Sequence, residues 1–177
     1  MNIKPLLHPV LFTLFSLLIV ATELYISTQK LLLLSALPLV FIAIHLSLFT
    51  KNFLKEISFI AISFSLIFFS EFFISNIDIY HFGVVELPGH SWPPPWITSL
   101  WLMLPLFFCT SLKFLYNARI AGAYASAFLI YAAYRFIFEP LDLLFFHKPP
   151  IQSALLFILS WYLLMRIIFW LHKKITS

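Results

Sequence analysis

Apolar residues along this chain do not alternate with polar ones; they run on. Stretches 6–26, 31–49, 57–77, 94–115, 120–138 and 151–171 are predominantly apolar, with few polar residues inside them. A helix rises ~1.5 Å per residue, so each stretch is close to the ~30 Å thickness of a bilayer's hydrocarbon layer. The pattern predicts an all-α, polytopic transmembrane bundle of about six spans forming a single membrane-embedded domain. Connections are short except for 78–93, which leaves no room for a soluble domain. The first run continues to Ile26, too long for the apolar region of a signal peptide and without a small-residue cleavage site after it, so it reads as a span.

Prolines mark the ends. Pro94 and Pro95 open the fourth stretch and Pro149 and Pro150 the sixth, where a missing N–H costs little, and Pro140 closes the fifth. Pro38 and Pro105 fall inside spans. Kinks are expected there, with neighbouring side chains satisfying the carbonyls that proline leaves free.

Charge sets the orientation. Lys4, Lys51, Lys55, Lys113, Arg119, Lys173 and Lys174 fall on one side of the predicted spans, against Lys30 and Lys148 on the other. Short cytoplasmic loops retain positive residues, so both termini are expected in the cytoplasm. Trp92 and Trp96 then lie at the outer edge and Tyr116 and Trp170 at the inner edge, as aromatic belts require, while Trp101 and Trp161 lie deeper as packing residues.

Composition agrees: 62% of residues are hydrophobic, 10% are charged and the mean hydropathy is +1.00. The net charge of +4 is dispersed singly between apolar runs, so no basic patch exists to grip nucleic acid, and membrane lipids are the expected partners. Cys109 stands alone in an apolar run, where packing is its expected role, and an intramolecular disulfide is impossible.

Candidate chemistry is confined to a few residues, because an ionisable group at mid-bilayer costs at least ~2.5 kcal/mol and marks a functional candidate. Glu71 in the third span and Arg135 in the fifth reach similar depths in the outer half and are expected to pair. Glu139 follows Arg135 by one helical turn. Tyr124, Tyr131, Arg135 and Glu139 form one polar stripe, and Ala118, Gly122 and Ser126 a small-residue stripe on the other side. Both faces should touch protein, within one subunit or across a homo-oligomer. The candidate polar site is therefore Glu71, Arg135, Glu139 and Tyr131. Glu23, Asp78, Glu86 and Asp142 add carboxylates at the outer boundary. His45 and Arg166 are expected to snorkel or bond backbone near the inner side, and Lys113 to snorkel. His81, Glu86 and His90, with His147 in the next outer loop, match no established ligand spacing, so no metal is expected. No nucleophile–base pair, phosphate-binding loop or zinc-protease motif is visible along the chain, and no cofactor is expected.

The run Pro94-Pro95-Trp96-Ile97-Thr98-Ser99-Leu100-Trp101, continuing through Leu112-Lys113-Phe114-Leu115 after a loop containing Gly83, resembles the entry to a middle helix in a bacterial inner-membrane family known as domain-of-unknown-function family 2878. The resemblance implies a multi-pass protein of the bacterial inner membrane, with a general association with lipid modification and no catalytic residue to transfer. Two readings of function stay open. One is an envelope- or lipid-associated accessory protein or small carrier with a structural Arg135 network; the other is a membrane-embedded lipid-active enzyme or lipid binder. The second would use Glu71, Arg135 and Glu139 at a site open to the outer leaflet.

Overall fold

The computed structural model describes residues 4–26, 30–76, 79–82, 93–146 and 150–176. Helices dominate: α1 (Lys4–Tyr25), α2 (Lys30–Leu48), α3 (Phe53–Asn76), α4 (Pro95–Leu106), α5 (Lys113–Asn117), α6 (Arg119–Ala133) and α7 (Pro150–Thr176). Wider π turns at Phe107–Ser111 and Tyr134–Phe138 follow α4 and α6. The all-α bundle expected from the apolar runs is the architecture observed.

Four segments are long and apolar enough to cross a membrane: Leu6–Tyr25, Phe53–Asn76, Arg119–Phe138 and Ile151–Ile175. Leu32–Leu48 and Pro95–Ser111 are shorter apolar helices. Their surfaces explain the composition. On α1, Leu6, Val10, Leu14 and Leu17 are all at least half exposed at three- and four-residue spacing, and Leu155, Leu159 and Leu163 repeat the pattern on α7. Stripes of that size facing water would drive aggregation, whereas lipid tails accept them. Hydroxyls within the helices turn back on their own backbone: Thr22 donates to the Leu18 carbonyl at 2.7 Å and Ser160 to that of Leu156 at 2.8 Å.

The chain divides into two compact units. Unit 1 comprises Met1–Phe64, Pro95–Lys113 and Leu171–Ser177. Within it α1 packs on α2 and α4, and α2 on α4, around Ile19, Leu34, Phe41, Trp101 and Met103. Helix α2 continues through Pro38. That proline cannot donate to the carbonyl of Leu34, and the Ser99 hydroxyl of α4 donates to it instead at 2.7 Å. The neighbouring helix thus supplies the bond that the sequence requires. After Pro105, α4 passes into the π turn, where Leu112 N–H donates to Phe107 O at 3.1 Å.

Unit 2 comprises Ser65–Pro94 and Phe114–Trp170. Its α5 and α6 meet at a sharp turn through Arg119, which holds a left-handed φ of 52°. Gly122 makes this approach feasible: a Cβ there would lie 1.6 Å from the Leu115 carbonyl oxygen. Of the small-residue stripe, Gly122 is therefore used against the same chain, whereas Ala118 is exposed. Unit 2 also holds a two-stranded antiparallel ribbon, β1 (Tyr80–Phe82) on β2 (Leu144–Phe146), with Tyr80 opposite Phe146. Strands of three residues are too short to carry an alternating pattern, so the sequence reading placed only loops here.

Candidate functional site

Unit 2 assembles its polar interior from four elements. Glu71 comes from α3 and is fully buried. The π turn after α6 supplies Tyr134, β1 supplies Tyr80, and α7 supplies Phe157 and Trp161 one helical turn apart. Tyr134 Oη donates to Glu71 Oε2 at 3.5 Å, a long bond. The Tyr134 ring belongs to an aromatic cluster. Tyr80 meets Tyr134 at 5.7 Å and Phe157 at 5.8 Å, Tyr134 meets Phe157 at 4.9 Å, and Phe157 meets Trp161 at 6.2 Å. The Trp161 indole N–H also faces the Glu71 carboxyl, but outside hydrogen-bond geometry. Glu71 Oε1, Tyr80 Oη and Trp161 Nε1 are thus buried polar atoms without a hydrogen-bond partner among the described residues.

The arrangement is a buried acidic group beside a cluster of aromatic rings. Each unsatisfied buried polar atom costs roughly 1–3 kcal/mol. Aromatic faces attract cations, the more so where water is excluded. A cation reaching Glu71 would meet a carboxylate with aromatic rings packed beside it.

Of the residues expected to form the site, Glu71 and Tyr131 join this aromatic cluster, Tyr131 lying 5.9 Å from both Phe146 and Phe157. Arg135 and Glu139 do not. They pair with each other, with side chains 34% and 23% exposed, and the guanidinium lies 5.9 Å over the Phe146 ring. The expected Glu71–Arg135 pair is not formed. The reason is helical phase: the inward stripe of this helix is Ala123, Ala127, Ile130, Tyr134 and Phe138, and Arg135 stands one position off it. Tyr124 is half exposed and stacks on Tyr162 at 3.9 Å.

Other expectations also shift. Trp96 is fully buried in unit 1, so it packs rather than anchoring an interface, while Trp101 and Trp161 are buried as expected and Trp170 is exposed. Glu23 pairs with Lys30 at 2.7 Å. His45 does not snorkel; it is buried in unit 1 beside His8 and Glu56. Gly83, Glu86, His90 and Trp92, with Asp78, His147 and Lys148, lie outside the described residues, as does the side chain of His81.

Sequence reasoning missed Tyr80, Tyr134 and Trp161 at the site, and His8, Glu56 and Ser111 in unit 1. Tyr134 was within reach, since the small residues Ala123 and Ala127 already marked the inward phase that it continues. The Ser111–His8 contact was not, because 103 positions separate its members. No curated protein and no solved structure matches the chain. A family model matches residues 8–167, and its description reads Protein of unknown function (DUF2878).

Proposed function

The chain belongs to the family described as Protein of unknown function (DUF2878), and from its own geometry we propose that it is a small multi-pass membrane carrier that binds an organic ammonium group at Glu71. One observation carries this reading: a fully buried carboxyl, with no cationic side chain on it among the described residues, bonded by the hydroxyl of Tyr134, whose ring packs with those of Tyr80 and Phe157. A bare carboxylate inside hydrocarbon is costly, so the group is retained for exchange: it holds a proton while no cation is bound and gives it up to a cation that arrives. Tyr134 orients the carboxyl, and the rings of Tyr80 and Phe157 that pack on Tyr134 make its surroundings aromatic. Arg135 is paired with Glu139 over Phe146 and is not on Glu71.

In the same proposal the chain crosses the inner membrane of a bacterium about six times, with α2 and the α4 segment as the shorter crossings and both termini cytoplasmic. Supporting this are the four long apolar helices and the excess of Lys and Arg on one side. The lipid bilayer is its partner. The ammonium is either a soluble organic cation or the headgroup of a membrane lipid.

Titration of tetramethylammonium into the detergent-solubilised protein, read by tryptophan fluorescence, tests the site. Saturable quenching in wild type that weakens at least ~10-fold in Glu71→Gln and persists in Arg135→Ala is expected, a tenfold loss being ~1.4 kcal/mol. Equal affinity in Glu71→Gln overturns the reading. Repeating the titration in nanodiscs with and without choline-headgroup lipid separates the two sources, since a lipid ligand competes and a soluble one does not.

A further inference from the structure

Unit 1 contains a second polar construction that does not depend on the Glu71 reading. Ser111 Oγ lies 2.6 Å from His8 Nδ1, His8 Nε2 lies 2.9 Å from His45 Nδ1, and His45 Nε2 lies 3.4 Å from Glu56 Oε1. Both imidazoles are buried, whereas the Glu56 side chain keeps 13% of its surface exposed and Ser111 is half-buried. Phe41 and Phe49 pack edge-on against His8 and fix its plane.

The far end of this chain dictates its polarity. An ionised carboxylate only accepts hydrogen bonds, so Glu56 takes the N–H of His45 Nε2 and leaves Nδ1 of that ring as an acceptor. His8 Nε2 must then donate to it. That leaves His8 Nδ1 as the acceptor towards Ser111, whose hydroxyl proton is aimed at a base. A hydroxyl, a base within hydrogen-bond reach and a further group orienting the base are the signature of an activated nucleophile. Ser111 also closes a π turn, the kind of helical irregularity that recurs at functional sites.

We propose that Ser111 is a nucleophile for acyl transfer, with His8 as its general base, His45 and Glu56 as positioning residues, and an acyl ester bearing an anionic group as the substrate class. Lys113, two residues after Ser111, and Lys51 and Lys55, flanking the start of the helix that carries Glu56, give this part of the chain the positive charge that such a head requires. In the step, Ser111 Oγ bonds to the ester carbonyl carbon as its proton moves to His8 Nδ1. The C–O bond to the alcohol then breaks and the alkoxide takes that proton. Water, deprotonated by His8, hydrolyses the acyl-serine and returns Ser111 with a free carboxylic acid.

An alkyl fluorophosphonate applied to the full-length protein in mild detergent is the test, because the serine oxygen displaces fluoride through the same geometry. Mass spectrometry is expected to place the phosphonyl group on Ser111 of the wild type. The labelling rate should fall by about 10²-fold in His8→Gln, the size of a general-base contribution, and by a smaller factor in Glu56→Gln. Glu56→Gln sits at the part-exposed end and keeps the test decisive if His8→Gln does not fold. Wild type left unlabelled at Ser111, or labelling undiminished in a monodisperse Glu56→Gln or His8→Gln protein, overturns the proposal. Retained labelling in Glu71→Gln separates this outcome from that of the ammonium site.

Discussion

Replacing Ser99 by Ala isolates the bond that makes a proline tolerable inside α2. The Leu34 carbonyl would ordinarily accept from the N–H four residues on, but Pro38 has none, and Ser99 Oγ lies 2.7 Å from that oxygen. The same hydroxyl lies 2.7 Å from the Pro95 carbonyl; having one proton, it serves one acceptor at a time. Leu34 is 1% and Ser99 6% exposed, so water does not take over in Ser99→Ala. An unmade bond to a buried acceptor costs ~1–3 kcal/mol in general, while interhelical side-chain bonds in membranes reach at most ~1.7 kcal/mol. The expected loss is therefore about 1–2 kcal/mol, a 5- to 30-fold drop in the folded-to-unfolded ratio. Reversible unfolding in mixed micelles with increasing dodecyl sulfate, followed by tryptophan fluorescence, measures it. The decisive comparison is Ser99→Ala in a Pro38→Ala background, where the restored N–H satisfies Leu34 and the cost should fall by ~1 kcal/mol. An equal cost of Ser99→Ala in both backgrounds refutes the reasoning.

Gly122→Ala places a Cβ 1.6 Å from the Leu115 oxygen, which already accepts the Ala118 N–H at 3.1 Å, so the α5–α6 turn must open. A loss of ~2–4 kcal/mol in the same unfolding assay is expected, against under ~1 kcal/mol for the nearby Ser126→Ala. The Arg135–Glu139 pair is part-exposed and one turn apart, so a double-mutant cycle with alanine at both positions should give a coupling below ~1 kcal/mol, and a larger one would mean a structural lock. Reporter fusions after Ser177 should be active only in their cytoplasmic form, and an extracytoplasmic signal would reject the inward C-terminus.

Helices were legible in the sequence because length and apolarity are local properties: runs such as 57–77 and 151–171 declare themselves residue by residue. Pro38 even announced that something must satisfy a free carbonyl, though which residue did so depended on α4 lying against α2. Glu71 was legible as a costly charge in an apolar run. Its partner was misjudged, since charge complementarity pointed to Arg135 while helical phase delivered Tyr134. The histidine relay was illegible for a different reason. Ser111, His8, His45 and Glu56 come from separate helices, and each alone reads as an ordinary polar residue near a helix end. Likewise, the β1–β2 ribbon that brings Tyr80 onto Tyr134 is too short to show a period.

Exchange of a proton for an ammonium at Glu71 is read most directly by proton release. Tetramethylammonium added to the weakly buffered, detergent-solubilised protein should acidify the solution by about one proton per bound cation, with no release from Glu71→Gln. Cation binding without acidification, or equal release from wild type and Glu71→Gln, would contradict the account.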